Sequence, residues 1–406
     1  MNAKVFKKRF ISSLLFLLLF MSDAVIRIRG YEDKSIDLQV VLKFTILILC
    51  FIVGLNSLKY KKFYSLNYMV LSFLGLFVIS SSYSPNFSYS LYISFTYIAV
   101  FLFVFYCFMN LEFETIINVA VKAFFVFAVI SLFLYVFIPN LGRFAYWSND
   151  VFYVSNRMSG LAGSANNFAR IMVVYFILLV FYKTFLLKFY SLKFLYFQML
   201  LSLTCLLLTG SRTTIAALMV SVIISYYLHF KKQDKAYLFV GFSILIVGLY
   251  FLYPSVSMYL SRHDGTDLTT FTGRVFIWDV AIELVQNSFL FGYGTGSSVI
   301  IFPDYLQQIG FKASHAHNMY LQILLSVGFV GLVSFLFIIL CSLKDLLKSK
   351  NYGMISILIL ILLVGFLESA AIALTANMFT IILFIGLIES KIRCNNTINL
   401  NENGDE

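Results

Sequence analysis

Uninterrupted apolar runs of helix length follow one another from Phe10 to about residue 390. Crossing the hydrocarbon core of a bilayer takes roughly 20 mostly apolar residues as a helix. Runs of that kind fall near residues 10–28, 37–55, 66–82, 91–109, 116–138, 167–187, 194–209, 213–230, 236–254, 318–341, 353–374 and 376–390. Charged residues are 12% of the 406 and hydrophobic residues 61%, whereas a soluble chain carries about 25% charged residues. A water-soluble fold is excluded. A porin-type barrel is excluded as well, because its strands alternate apolar with polar over about 10 residues. The expectation is an all-α polytopic membrane protein of about twelve transmembrane helices.

Sidedness follows from the lysines. Lys and Arg concentrate in cytoplasmic loops, and basic clusters stand at Lys4, Lys7, Lys8 and Arg9, at Lys59, Lys61 and Lys62, at Lys183, Lys188 and Lys193, at Lys231, Lys232 and Lys235, at Lys344, Lys348 and Lys350, and at Lys391 with Arg393. These are every second connection except the acidic turn at Glu112 and Glu114, which places both termini in the cytoplasm. No small-x-small site follows the first apolar run, so it reads as a retained span. The chain divides into one membrane domain, 1–394, and a short cytoplasmic tail, 395–406. Two long polar segments, 139–166 and 255–317, fall on the outer face, where loops of that length usually carry function. Within the second, residues 275–290 have amphipathic helical spacing: Ile277, Trp278, Ala281, Leu284 and Val285 share one face and Asp279, Glu283 and Gln286 another. Such a helix suits the membrane interface.

A net charge of +11 invites a nucleic-acid reading, but no basic block interleaved with solvent-facing aromatics accompanies it. Cys50, Cys107, Cys205 and Cys341 lie inside apolar runs and Cys394 is alone in the tail, which gives neither a disulfide framework nor metal-ligand spacing.

The arginines break the lysine pattern. Of ten, eight (Arg27, Arg29, Arg143, Arg157, Arg170, Arg212, Arg262 and Arg274) fall in outer loops or at outer helix ends, whereas Lys34 and Lys312 are the clear outer cases among twenty lysines. Guanidinium is a planar, permanently charged fork matched to phosphate oxygens, so a lipid-linked diphosphate is a natural ligand. The competing reading is that these groups reach lipid headgroups or pair with nearby carboxylates. Glu368, near the outer end of the eleventh run, is an acid at membrane depth and reads as the partner of one arginine.

Histidines add a second group. His263, His315 and His317 sit in or beside the large outer loop, the last two immediately before an inward-running span. A helix beginning near Ser314 to Ala316 would hold His317 in its first turn, where the dipole disfavours an imidazolium. A neutral imidazole can accept the proton of a sugar hydroxyl; equally, it can cap the helix or bond a carbonyl.

His317-Asn318, nine residues, Gly328, two residues, Gly331 resembles the signature of the O-antigen ligase and polymerase superfamily. Three further stretches resemble it in the same order: Arg157-Met-Ser-Gly-Leu-Ala-Gly-Ser-Ala-Asn-Asn-Phe-Ala-Arg170, Thr209-Gly-Ser-Arg-Thr213, and Gly273-Arg-Val-Phe-Ile-Trp278 leading to Gly292-Tyr-Gly-Thr-Gly296. Each alone is weak, since glycines are common packing residues in membrane helices. The resemblance covers roughly residues 150–340. It implies a GT-C-like bundle with a large periplasmic loop in the bacterial inner membrane. The implied enzyme is a metal-independent glycosyltransferase on undecaprenyl-diphosphate-linked oligosaccharide, with an acceptor glycan, membrane lipid and a chain-length regulator as partners, and no cofactor or nucleic acid. It implies catalytic roles for His317, Arg212 and Arg274, and binding roles for Arg157 and Arg170. Asn318, His315, Trp278 and Tyr293 complete the expected substrate-binding set, the two aromatics as surfaces on which sugars stack. An interfacial belt is the plainer account of the tryptophans.

His-Asn-Met-Tyr-Leu before a glycine-rich span looks more like polymerase-type members, which join one lipid-linked repeat unit to another. A ligase, which transfers the glycan to lipid A core, is the alternative. A lipid-linked oligosaccharide flippase is the rival of another class. Transporters tend to show two related halves and mid-membrane polar groups, whereas here the halves do not match and polar groups gather at the outer face. Lys43 and Lys122, inside spans, are the features that favour it.

Overall fold

The computed structural model describes residues 3–26, 37–60, 65–148, 151–229, 273–372 and 374–402. The expected ninth span, 236–254, together with Arg27, Arg29, Arg262 and His263, lies outside the described residues. The helices are α1 (Ala3–Ser22), α2 (Leu38–Leu55), α3 (Ser65–Ser80), α4 (Phe87–Asn110), α5 (Phe113–Phe137), α6 (Ala165–Phe181), α7 (Leu192–Thr209), α8 (Arg212–His229), α9 (Arg274–Asn287), α10 (Met319–Lys348), α11 (Tyr352–Gly365) and α12 (Met378–Glu402). Among the described residues, six segments are long and apolar enough to cross a membrane: Leu38–Lys59, Phe87–Asn110, Phe113–Phe137, Leu192–Thr209, Arg212–His229 and Met319–Lys348. Shorter apolar helices cover Asn67–Tyr83, Ala165–Phe181 and Tyr352–Gly365. Phe133, Phe137, Leu200 and Leu340 are each more than half exposed on these helices; apolar surface of that extent needs lipid to cover it. The molecule is a mostly helical polytopic membrane protein.

The expectation of an all-α chain needs one correction. Within the outer loop 139–166, Arg143–Ser148 (β1) and Val151–Met158 (β2) pair antiparallel, Tyr146 opposite Tyr153 and Trp147 opposite Phe152. Aromatic and β-branched residues favour a pleated ribbon, and a chain leaving α5 and returning to α6 on the same side has to reverse.

Most of the buried apolar side chains form one core running through the bundle, in which α4 is the most enclosed of the six long apolar helices, with Phe101, Phe103 and Phe105 fully buried. A second, smaller core lies within residues 277–325. Ile277, Val280, Ala281, Leu284 and Val285 of α9 are buried there against Phe302, Ile309, Ala313, Ala316 and Leu325, while Asp279, Glu283 and Gln286 are exposed. The apolar stripe of α9 is thus covered by protein.

What joins the two cores is a break in α10. Gly328 leaves the helix at φ 67, ψ −165, and a Cβ there would lie 2.2 Å from the Leu290 carbonyl oxygen. Only glycine admits that approach. Two carbonyls and one amide released by the break are taken by the incoming loop: Tyr293 N–H donates to Leu325 O at 2.7 Å, Gly294 N–H to Ser326 O at 3.0 Å and Phe329 N–H to Phe289 O at 2.9 Å. Irregular backbone at membrane depth survives where neighbours satisfy its polar groups, and the Gly292–Gly296 motif supplies them.

Contacts between connections sort into two sets at opposite ends of the bundle. At one end Lys188 meets Glu114 at 2.7 Å, Tyr182 donates to Asn351 at 2.6 Å, Lys391 lies 3.7 Å from Asp345, and His229 packs on Tyr352. At the other, Val25 N–H donates to Leu161 O, Ser80 bonds Thr295 at 2.8 Å and Met378 N–H donates to Asp23 at 2.7 Å. These are the two groupings into which the lysine pattern divides the connections.

Candidate functional site

The carboxylate of Glu368 is the hub. It lies just past α11, in the connection to α12, and it is buried. Arg274, the first residue of α9, reaches it with Nη2 2.6 Å from Oε1 and also donates through Nη1 to the Leu367 carbonyl. Asn166, in the first turn of α6, donates Nδ2 to the same Oε1 at 2.8 Å. His317 places Nδ1 3.3 Å from Oε2. Arg157, near the end of β2, donates Nη2 to Asn166 Oδ1 at 3.1 Å and Nε to the Thr209 carbonyl at 2.8 Å. Arg212 opens α8 three residues past that carbonyl. The four motifs separated along the sequence therefore meet at one end of the bundle.

Charge explains why the hub tolerates burial. Desolvation alone would raise the Glu368 carboxyl, but the hydrogen bond from His317 and the guanidinium charges of Arg274 and Arg170 outweigh it and hold the group well below the usual carboxylate range. Arg170 is itself buried, donating to Asn167 and lying over the Phe379 ring at 5.5 Å. His315 packs against His317 with the rings tilted, centroids 4.0 Å apart, and bonds Ser314 through Nδ1 at 2.9 Å. Burial, the neighbouring His317 and the guanidinium charges push His315 down to about 3 against a smaller opposing pull from Glu368, so it is neutral near pH 7.

The helix entrance differs from expectation in one respect. α10 begins at Met319 with Asn318 as its N-cap, whose Oδ1 accepts from the amides of Tyr320 and Leu321 at 2.9 and 3.1 Å. Asparagine is among the best residues for that place. His317 consequently stands one residue outside the helix, at φ 48. A left-handed backbone at a residue with a branched aromatic side chain costs about 1–3 kcal/mol and is retained where the surroundings over-determine it. Asn318 also donates Nδ2 to Phe366 O at 3.0 Å, tying the histidine turn to the Glu368 connection.

The remaining expected residues have other surroundings. Trp278 donates its indole N–H to Ala316 O at 3.0 Å. Tyr293 donates its hydroxyl to Leu284 O at 3.0 Å, about 15 Å along α9 from Arg274 at 1.5 Å per residue. Asn166, Ser298 and Gln322 were not among the sequence candidates. Asn166 did carry a signal, as an amide opening an apolar span within the Arg157–Arg170 motif. Among the described residues no group of three His, Cys, Asp or Glu side chains has metal-site geometry.

Chemically, a carboxylate on Nδ1 fixes the imidazole with its proton on that nitrogen and leaves the Nε2 lone pair to accept another. Beside it stand permanently charged guanidiniums. Such a pairing suits proton removal from a hydroxyl together with stabilisation of an anionic leaving group.

Residues 197–336 match the family model described as O-antigen ligase. Over 171 residues, 34% of this chain and 42% of the relative, the chain is 27% identical to a Rickettsia felis protein provisionally named a polysaccharide ligase. It is 33% identical over 92 residues, 20% of this chain, to a Rickettsia conorii protein with a similar provisional name, of which the match spans 22%. In both cases the matched stretch covers less than half of the relative's length. Arg212, Arg274, His315 and His317 lie inside the family-matched segment; Arg157, Asn166, Arg170 and Glu368 lie outside it.

Proposed function

We propose, from the match of residues 197–336 to the O-antigen ligase family model and from the geometry of the site, that this chain is a glycosyltransferase of the bacterial inner membrane acting at the periplasmic face. Its donor is an undecaprenyl-diphosphate-linked glycan, and its acceptor is a sugar hydroxyl of another lipid-linked repeat unit, which makes it a polymerase. The observation that carries the reading is the grip of one buried carboxylate on His317 and Arg274 together, with Arg157 joined through Asn166.

In the reaction so read, the acceptor hydroxyl oxygen attacks the anomeric carbon of the donor. Its proton passes to His317 Nε2, and the bond from the anomeric carbon to the diphosphate oxygen breaks. The leaving group departs with the electron pair, its growing charge met by Arg212, Arg274 and Arg157. Glu368 holds the imidazole tautomer and stabilises the imidazolium that forms. The donor arrives activated, so no nucleotide fold is required. His315, Arg170, Asn318, Trp278 and Tyr293 are assigned to the walls and supports of the glycan and diphosphate sites. A chain-length regulator is the further partner that a polymerase implies.

Transfer to lipid A core, the ligase reaction, is the second reading, favoured by the description of the matched family model and by the names of the relatives. Purified protein given one defined lipid-linked unit, with and without core acceptor, separates them. Elongated lipid-linked product without core is the expected result. Product that appears only on core would replace the polymerase reading. Transfer that survives His317→Ala would remove the base.

A further inference from the structure

The segment before His317 is held from both sides, by Trp278 and by Gln322, and Gln322 has been given no role. The Ala316 amide donates to Gln322 Oε1 at 3.0 Å, and the Ala316 carbonyl accepts the Trp278 indole N–H, also at 3.0 Å. Gln322 is buried one turn into α10 and passes the restraint on: its Nε2 donates to Ser298 Oγ at 3.1 Å, and Ser298 Oγ donates to the Ser314 carbonyl at 3.0 Å. Both peptide groups of Ala316, and the carbonyl two residues earlier, are thereby fixed to α9, α10 and the intervening loop. His317 follows in the left-handed conformation, which a free chain avoids.

Gln322 suits this task for a chemical reason. A side-chain amide accepts at oxygen and donates at nitrogen, and here each end has one buried partner. Leucine of similar volume offers neither. Glutamate keeps the acceptor for the Ala316 amide but presents no N–H to Ser298.

We propose that Gln322, with Ser298, is a positioning residue for His317: the amide locks the Ala316 peptide so that the imidazole is delivered to Glu368 and His315 with Nε2 directed to one place. This rests on the reading of His317 as base. Gln322 is separated from the proposed reacting atoms by the backbone of residues 316–318, so it acts through the histidine and has no part in binding the donor. Displacement of a reacting group by about 1 Å can cost 10²-fold in rate, and supporting partners of a tuned histidine carry about 10–100-fold.

The test compares Gln322→Leu, Gln322→Glu and Ser298→Ala with wild type and His317→Ala, as full-length protein in nanodiscs with a lipid-linked oligosaccharide donor. Initial rates give kcat and KM, and ¹⁵N-histidine NMR reads the imidazole signal that disappears in His317→Ala. Gln322→Leu is expected to lower kcat about 10–100-fold with donor KM within about two-fold, and to convert the fixed Nδ1–H signal into a tautomer-averaged one. Gln322→Glu is expected to recover most of the loss. If Gln322→Leu does not accumulate, Gln322→Glu and Ser298→Ala are expected to show the same fall in kcat at unchanged KM, in smaller measure. Wild-type kcat and an unaltered His317 signal in the variants that fold overturn the inference, as does a lowered kcat with that signal unchanged. An active His317→Ala enzyme would sink the base reading itself, whereas an inactive one beside unaffected Gln322 and Ser298 variants sinks this inference alone.

Discussion

Replacing Glu368 by Gln separates the two tasks the carboxylate performs. The glutamine can still accept from Arg274, but an amide N–H presented to His317 Nδ1 favours the opposite tautomer, with the proton on the nitrogen meant to receive one. Transfer should fall about 100-fold or more, by analogy with losing the carboxylate behind a general-base histidine, and steady-state rates in nanodiscs would show it. Stability should fall too, by about 3 kcal/mol or more, since a buried guanidinium loses its partner. The folded carboxyl is held below its unfolded value. Its stabilisation is therefore fully present above about pH 4.3 and fades only as pH drops below that toward the folded value. The gap in unfolding midpoint between wild type and Glu368→Gln should hold from neutrality to about pH 4.3. A gap that closes by pH 6 would contradict the assignment. His315 titrates in a different window. The fold resists its protonation down to about pH 3, while the unfolded chain accepts that proton near pH 6.5. Stability should decline by this route as pH falls from about 6.5, and His315→Gln should make the decline shallower by one proton. Equal slopes in wild type and His315→Gln would remove that account.

At the level of elements, the glycines show how far sequence reasoning reached. Gly328, Gly292 and Gly294 were visible as spaced small residues in and before an apolar run, but spacing alone could not say that one segment plugs the other. That needs the positive φ at Gly328 and the 2.2 Å that a Cβ there would leave to Leu290. Gly328→Ala should therefore cost about 2 kcal/mol or more from backbone strain and overpacking together, seen as a lowered unfolding midpoint and loss of the ordered 288–296 loop to protease. A variant as stable as wild type would mean the break in α10 is not obligatory. The extent of α9 was legible, because Ile277, Ala281, Leu284 and Val285 recur at helical spacing. What covers its apolar face was not legible, since an amphipathic stripe reads the same against lipid or protein. The apolar run from residue 318 gave the start of α10 to within one residue, whereas the earlier start near Ser314 to Ala316, which would have held His317 in the first turn, does not occur because Asn318 is the cap. The ribbon at 143–158 escaped notice because its aromatic and β-branched residues run together without strict alternation.

Across the whole molecule, the division of the connections between two ends was the most legible property and the site's wiring the least. Lysine placement divides the connections into two groups, and the described contacts join members within each group: Glu114 to Lys188 and Tyr182 to Asn351 at one end, Arg157 to Thr209 and Arg274 to Glu368 at the other. The arginine surplus pointed to the second end, but nothing in the spacing tells that Arg274 pairs with Glu368 or that Asn166 links two motifs, because those bonds join residues 94 and 202 positions apart. Single-cysteine labelling turns the division into a measurement. Cys50, Cys107 and Cys205 are buried, which keeps the native background low, and Cys341→Ser and Cys394→Ser remove the other two. Glu283, exposed on the polar face of α9, and Lys188, exposed beside Glu114, then serve as reporters. Glu283→Cys should react with a membrane-impermeant maleimide added to the periplasmic side of spheroplasts, and Lys188→Cys only after lysis. The reverse pattern would place His317 and the guanidiniums in the cytoplasm, where no polymer destined for the cell surface is assembled on a lipid diphosphate already turned outward, and the transferase reading would fall with the topology.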